Sequence, residues 1–451
     1  MLDLSKMKKI LIVNTRSQEK KLAGFVMWGA WSVASCLKFS IPGSDVIYLD
    51  ENNEDDFEGK FIEAIKDRDT VGFSLTSMQI KYSLPLIRQI KRNYPNIRII
   101  IGGIHPVLFP KQDYGPLVDE VITYDLPKDK FLYELLPERV KEYYRKSRAH
   151  VITGFNCSYK CTFCVNSVRN CTHEGVPLET ILKDLDYVVK EFKPKRVYFR
   201  DEDFFFDIGK AKAITDHIIE KKYGFAWEAA SRVTNFFQGR VDDEFLRKLK
   251  LSGCYLIGFG VESGSQRILN YLRKGQTIDQ VRHAVKQCVK YGITPSCSFL
   301  IGVPNETAAD REETYRLIEE LSGYGKDVNI LGPQLYRPYP GGQLFEEAVK
   351  FGLKFPEKFE DWEHYYDDNK NPAGSVFDTK ADYPWLTKKE NKLLPNVFVV
   401  AHYGLNYVKS DDRLKRLIGR YFKLHWRFRW FGGLDLKLFM YIRKKMLKSE
   451  I

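Results

Sequence analysis

Three cysteines crowd into eight residues of the stretch GFNCSYKCTFCVNS: Cys157, Cys161 and Cys164. Thiolates are soft ligands, and a four-iron cluster ordinarily takes four of them. Three would leave one iron open to bind something else. Zinc needs a fourth protein ligand, which Cys171 or His173 offers nearby. A purely structural use of the trio is the third reading. Cys36, Cys254, Cys288 and Cys297 lie in apolar periodic segments and read as small hydrophobes. Eight cysteines so irregularly spaced over 451 residues do not form a secreted disulfide scaffold.

The trio directly follows a strand read at about 149–154. Further strands are read at about 196–200, 225–230, 255–262, 294–301 and 329–336, with helices between them. Successive βα units spaced by about 30 residues predict a parallel barrel or part of one. The cysteines then sit at its carboxyl-terminal mouth, where such barrels keep their active sites. Residues 7–125 hold a second αβ series, with KKILIVN, DVIYLD, TVGFSLT and IRIIIGG as buried parallel strands. Ser74 to Thr76 end the third of these and Gly102-Gly103 the fourth, at the edge where open parallel sheets bind ligands. No G-x-G-x-x-G follows the first strand, which disfavours a nicotinamide cofactor.

The spacing Cys157-x3-Cys161-x2-Cys164, with Phe163 before the last cysteine, resembles the signature of the radical S-adenosylmethionine (SAM) superfamily. The resemblance implies a 4Fe-4S cluster whose open iron is chelated by the amino and carboxylate groups of SAM. It also implies one-electron cleavage of SAM to a 5′-deoxyadenosyl radical, fed by an external donor such as flavodoxin or ferredoxin. In VYFRDEDFF, Asp201 and Glu202 resemble the acidic pair near the SAM amino group, where a carboxylate offsets the ammonium charge. Arg232, in WEAASRV, is placed like the family arginine near SAM and the second cofactor. GCYLIGFGVESGS, KGQT and FLIGVPNET are similar to the fourth and fifth strand segments, which implies Glu262 and Ser263 as ribose or carboxylate contacts. LYRPYPGGQL resembles the barrel-closing segment; its Tyr336 and Arg337 either face the substrate cavity as catalytic candidates or pack in the core. Gly342-Gln343 stands where Gly-Thr-Pro is common in the family.

The N-terminal half resembles, through GFSLTSMQ and IGGIHPVLFP, the cobalamin-binding domain that precedes the radical domain in one large subgroup. Ser74, Thr76, Gly102 and Gly103 are then expected to line the nucleotide-tail pocket, where small residues let a bulky ligand approach backbone amides. The D-x-H-x-x-G motif, whose histidine ligates cobalt in many cobalamin proteins, does not occur. His105 follows the wrong strand and reads as structural. Cobalamin is therefore expected with its base displaced and no histidine ligand, its lower face covered by Ser77, Met78 and Gln79.

The expected fold is α/β. A Rossmann-like cobalamin-binding domain covers 1–125, a linker 126–147, a partial (βα)6 TIM-like radical SAM barrel 148–344, and a mainly helical domain 345–451. The family resemblance implies a cobalamin-dependent C-methyltransferase acting on an unactivated carbon. Cyclisation or rearrangement with the same cofactors is one rival, and a cobalamin- or redox-sensing binding protein is another. A methylthiotransferase is disfavoured, because no second cysteine triplet precedes the first. The substrate stays open among peptide or protein side chains, natural-product intermediates and lipids.

The net charge of +12 is concentrated in the tail: Lys409 to Ile451 carry 13 Lys/Arg against 4 Asp/Glu, a net of +9. Leu414, Leu417, Ile418, Tyr421 and Phe422 recur at helical spacing, with Arg413, Lys415, Arg416, Arg420 and Lys423 on another face. Trp426, Phe428, Trp430 and Phe431 add aromatics, and a second helical stretch runs from Leu434 to Lys448. Either the tail packs on the barrel with a solvated basic face, or 410–451 docks peripherally on an anionic membrane or an acidic protein surface. Nucleic acid is not expected, since no RNA-binding appendage is recognisable. No run of about 18 apolar residues predicts a spanning helix. The start, MLDLSKMKKILIVN, has no signal-peptide cleavage pattern, so a cytoplasmic location is expected.

Overall fold

Strand β1 (Lys9–Asn14) is buried along almost its whole length, as are β3 (Thr70–Ser74) and β4 (Arg98–Gly102). Such continuous apolar runs suit a parallel sheet covered on both faces. With β2 (Asp45–Asp50) and the two-residue β5 (Glu120–Val121) they form a parallel sheet in the order β2-β1-β3-β4-β5. The order reverses between β1 and β3, and that switch point is where doubly wound sheets take ligands. Strand β5 is too short to leave a sequence signal.

The computed structural model describes residues 7–18, 24, 26, 28–124, 131–167, 173–237, 239–365 and 382–449. Cys171, positions 126–130 of the expected linker and the loop after Tyr365 lie outside them. The rest of the expected linker is no loose tether. Phe131, Tyr133, Leu136, Val140 and Tyr144 are buried, and Glu138–Lys146 is a helix packed on the barrel.

Strand β6 (Arg148–Ile152) opens the second sheet, and a small antiparallel ribbon, β7 (Gly154–Phe155) with β8 (Glu174–Gly175), follows it. Next come β9 (Arg196–Arg200), β10 (Ala226–Ser231), β11 (Cys254–Glu262), β12 (Thr294–Ile301) and β13 (Asn329–Leu335). All pair in parallel, in the order β13-β12-β11-β10-β9-β6. The two ends of the sheet do not join, so the barrel is partial. Residues of β12 alternate buried and half-buried. The buried set, Cys297, Phe299 and Ile301, belongs to the core shared with the outer helices Ile278–Lys290 and Ala308–Ser322. Thr277 and Thr307 start those two helices with capping boxes.

After the barrel the chain divides its packing. Phe359 and Trp362 return to the core of the first sheet, where Arg88 pairs with Glu363 at 2.8 Å. The helix Lys388–Ala401 packs on β13 and is followed by a π-helical turn, His402–Asn406, and the helix Arg413–Arg427. Asn406 accepts from the Ile330 amide at 3.0 Å and donates to its carbonyl at 2.8 Å. A side chain thus satisfies the open edge of β13. Among the described residues no helix is long and apolar enough to cross a membrane.

Candidate active site

The cysteine loop leaves the barrel immediately after β7, with Asn156 in the left-handed region at φ 62°. Cys161 is buried; Cys157 and Cys164 are half-buried, and none is in a disulfide. The loop is pinned at its centre. The Thr162 amide donates to the Leu272 carbonyl at 3.0 Å, and the Thr162 carbonyl accepts from the Leu344 amide at 3.1 Å. A Cβ on Gly342 would lie 2.9 Å from the Thr162 oxygen, so glycine is required where the barrel-closing segment passes the loop. The family departure noted above concerns Gln343; the glycine before it has a packing reason.

Burial pushes the Cys157 thiol up to about 11 and raises Cys164 as well. Thiols in this state are poor nucleophiles, and a metal that replaces the proton is what makes them ligands. Among the described residues no three His, Cys, Asp or Glu side chains close on one point as a single ion requires. The corners of an iron–sulfur cube stand farther apart. His173, offered as a zinc ligand, is held instead by Asp201, with Nε2 3.2 Å and 3.3 Å from its two oxygens. Burial works against its charge, but Asp201 outweighs it and the imidazole pKa is raised.

The carboxyl ends of the barrel strands bring charged groups to this loop. Arg232, just past β10, places its Nη1 3.8 Å from Cys161 Sγ and its guanidinium 3.7 Å over the Tyr159 ring. Its Nη2 donates to the Lys274 carbonyl, and its Nε has no hydrogen-bond partner among the described residues. Glu262 ends β11 with φ 69° and pairs with Lys274 Nζ at 2.9 Å, both side chains largely buried. Asp201 is buried and accepts from Thr153 and the Asp203 amide. Glu202 is exposed, and its charge works against ionisation of Cys164.

Asp203 was not singled out by the sequence reading. It is 2% exposed, and its Oδ1 accepts from Asn235 at 2.7 Å and from the Arg232 amide at 3.3 Å. Its Oδ2 has no partner among the described residues, and burial raises its pKa to about 6. Lys274, Tyr159 and Asn235 were missed too. The acidic run Asp201-Glu202-Asp203 and the KGQ stretch were visible, but the approach of these groups to one loop is tertiary.

Two of the expected site residues have contacts within the protein. Ser263 is fully buried, with its hydroxyl 3.0 Å from that of Thr314 and accepting from the Ser265 amide, so it braces the loop after β11. Tyr336 is buried in a small core with Ile268, Leu272, Val303 and Leu344, against Phe163 of the cysteine loop. It packs in that cluster. Arg337 beside it is half-buried.

A cavity of about 240 Å³ opens at the β1/β3 switch point of the first sheet. Ser74, Thr76, Gln79, Gly102 and Gly103 line it, together with Gly29 and Gly72; Ser77 and Met78 do not. Gly103 has φ 90°, and a Cβ there would strike the Leu75 amide nitrogen at 2.6 Å, which explains the Gly-Gly end of β4. Gln79 is committed inside the protein: it donates to Asn14 at 2.9 Å and to the Thr15 carbonyl at 2.6 Å, and accepts from the Thr76 amide. Ser77 bonds His105 Nδ1 at 2.8 Å, while His105 Nε2 meets Gln112 at 2.8 Å. Both ring nitrogens of His105 are occupied, and burial lowers its pKa to about 4, so it serves the core. These contacts turn Ser77 and Gln79 into supports of their own loop. Of the residues Ser77–Gln79 expected to cover the lower face, Gln79 lines the cavity.

Trp28 begins the helix Trp28–Ser40, one residue before the cavity-lining Gly29, and reaches toward the barrel. Its ring lies 6.4 Å from that of Phe155, two residues before Cys157, and 4.2 Å from the Arg200 guanidinium, next to Asp201.

Residues 151–318 match the Radical SAM superfamily, and residues 27–125 match the B12 binding domain. A segment similar to the B12 binding domain thus precedes one similar to the radical SAM domain. Over 240 residues it is 31% identical to an uncharacterized methyltransferase, PH0819, of Pyrococcus horikoshii, covering 52% of this chain and 48% of that one. The chain thus spans about half the length of that curated relative. The radical SAM methyltransferase TsrM of Kitasatospora setae, solved with tryptophan substrate and a SAM analogue, superposes with a TM-score of 0.60 at 15% identity. That superposition covers 98% of this chain and all of TsrM. OxsB, a cobalamin-dependent SAM radical enzyme solved with aqua-cobalamin and SAM, gives 0.65 at 15% identity, over 93% of this chain and 71% of OxsB. At these identities the likeness is one of fold. It covers both the B12-binding and the radical SAM domains, in the same order along the chain.

Proposed function

We propose that this protein is a cobalamin-dependent radical SAM methyltransferase that methylates an unactivated carbon. The observation that supports the reading is that Trp28, next to the cavity-lining Gly29, packs on Phe155 and Arg200, which flank the cysteine loop and Asp201. A methyl carrier and a radical source must share one chamber, and a direct contact between the two domains supports that arrangement. When bound, the cluster and the corrin supply one-electron cleavage of SAM and a transferable methyl group.

In this reading Cys157, Cys161 and Cys164 hold the 4Fe-4S cluster, whose negative charge Arg232 partly offsets. Asp201, Glu202 and Asp203 receive the SAM ammonium group, and the Lys274–Glu262 pair orients the rest of SAM. Ser74, Thr76, Gly102 and Gly103 admit the nucleotide tail of cobalamin, with Gln79 fixing the loop beneath the corrin. The occupied nitrogens of His105 support cobalamin bound without a histidine ligand. Nitrogen superhyperfine splitting in the EPR spectrum of the cob(II)alamin form would contradict that part.

The test is anaerobic reconstitution with iron, sulfide, cobalamin, SAM and reductant, with candidate peptides, natural-product intermediates and lipids as acceptors. Mass spectrometry should find 5′-deoxyadenosine and a product heavier by one methylene unit. A product of altered mass without that gain would favour cyclisation or rearrangement. Cobalamin uptake with no cleavage of SAM by the reduced protein would leave a sensing or binding protein.

A further inference from the structure

The helix Arg413–Arg427 has more apolar surface than the protein covers. At 100° per residue its side chains fall into three arcs. Phe422, His425 and Trp426 are buried, with Phe422 and Trp426 in the main core. Leu414, Leu417, Tyr421, Leu424 and Phe428 form a second arc, roughly 80° wide, in which each side chain is between 42% and 67% exposed. The third arc holds Arg413, Arg420, Lys423 and Arg427, all exposed and without an ion pair among the described residues.

The next helix, Leu434–Ser449, repeats the pattern. Leu434, Leu438, Tyr441 and Ile442 recur at i, i+4, i+7 and i+8 and are all exposed, Leu434 at 83%. The two helices are locked together beside these stripes. Phe422 and Phe439 meet edge to face with centroids 4.7 Å apart, and Asp435 accepts from the Tyr421 hydroxyl and pairs with His425 at 3.0 Å. Trp430, 58% exposed, stacks on Phe428 at the turn between them.

We propose that these two helices form a docking surface for an anionic phospholipid bilayer, on which the protein lies without crossing. A bilayer presents an acyl layer and, directly above it, a layer of phosphates. The exposed apolar arc followed by the basic arc matches that order. Tyr421, Tyr441 and Trp430 are amphipathic aromatics of the type that settles at headgroup level. The tail's net +9 meets the negative surface, whereas a solvated face would have no use for so many exposed leucines. The surface goes beyond the methyltransferase reading and does not depend on it.

Flotation of the full chain with phosphatidylglycerol-containing and with pure phosphatidylcholine vesicles tests it. The wild-type chain should float with the anionic vesicles. The double substitution Leu417→Glu/Leu424→Glu should weaken that binding at least about tenfold with an unchanged circular dichroism melt, since both positions are exposed. Arg420→Glu/Lys423→Glu should weaken binding to the anionic vesicles and leave the pure phosphatidylcholine control unchanged. No binding by the wild type overturns the proposal, as does undiminished binding by the leucine variant. Capture by soluble polyglutamate but not by vesicles assigns the surface to an acidic protein and overturns it too. So does a dimer in sedimentation that the leucine variant dissociates, without vesicle binding.

Discussion

Arg232 touches the Cys161 thiol, the Tyr159 ring, the Lys274 carbonyl and, through its backbone amide, Asp203. Its buried Nε remains an unused donor among the described residues, and a SAM carboxylate is the acceptor that would complete it. Lysine keeps the charge but not the fork. Arg232→Lys should therefore weaken SAM binding by about tenfold in equilibrium dialysis, with iron content unchanged. Gly342→Ala acts from the other side. Its methyl must push the Thr162 carbonyl, so it should lower retained iron and cost about 1–3 kcal/mol without touching a cysteine. His150 makes a separate prediction. It lies in β6 between the rings of Tyr144 and Tyr198, its Nε2 lacks a partner among the described residues, and burial lowers its pKa to about 3. The unfolded chain therefore takes up a proton that the folded one refuses. Its stabilising effect is complete above the ordinary histidine pKa and fades as pH falls toward the folded value. Between pH 7 and pH 4 that loss is on the order of 3 kcal/mol. His150→Phe should flatten the fall in melting temperature over this range. At this scale the sequence disclosed what is encoded by spacing, such as Cys157, Cys161 and Cys164. It concealed Asp203 and Tyr159, which join the site only through approaches between distant segments. Tyr336 could be read either way from sequence, and its burial in the small cluster that Phe163 packs against is a tertiary feature.

The strands were the most legible elements, because a parallel sheet buried on both faces demands uninterrupted apolar runs. All six long barrel strands fall within one or two residues of the positions read from sequence. The segment before β6 misled through its charges and prolines, although Val140 and Tyr144 stand at the i, i+4 spacing of a packed helix. The return of Phe359 and Trp362 to the first sheet had no local signal, since a four-residue helical turn carries no periodicity. Edge protection of β13 was equally hidden. One amide, that of Asn406, satisfies both backbone groups of Ile330. Asn406→Ala should cost about 1–3 kcal/mol, measured by chemical denaturation, because it leaves those groups unpaired at the rim of the open barrel.

At the scale of the whole molecule, one hydrophobic core runs from the first sheet through the helix Trp28–Ser40 into the barrel, joining Ile12 and Trp31 to Val151 and Val197. The domain that holds the first-sheet cavity and the barrel that holds the cysteine loop thus share one packed core, and Trp28 adds a further contact between them. Trp28→Ala should leave the iron content unchanged while uncoupling cobalamin from SAM chemistry, read as 5′-deoxyadenosine formed without methylated product. The central claim is narrower still: three thiols hold a four-iron cluster with one iron left for SAM. EPR spectroscopy of the reduced, anaerobically reconstituted protein addresses it without knowledge of the acceptor. The account predicts a 4Fe-4S signal whose shape changes when SAM is added, and no such signal once Cys157, Cys161 and Cys164 are alanine. A signal indifferent to SAM, or one that survives loss of the three thiols, would contradict it.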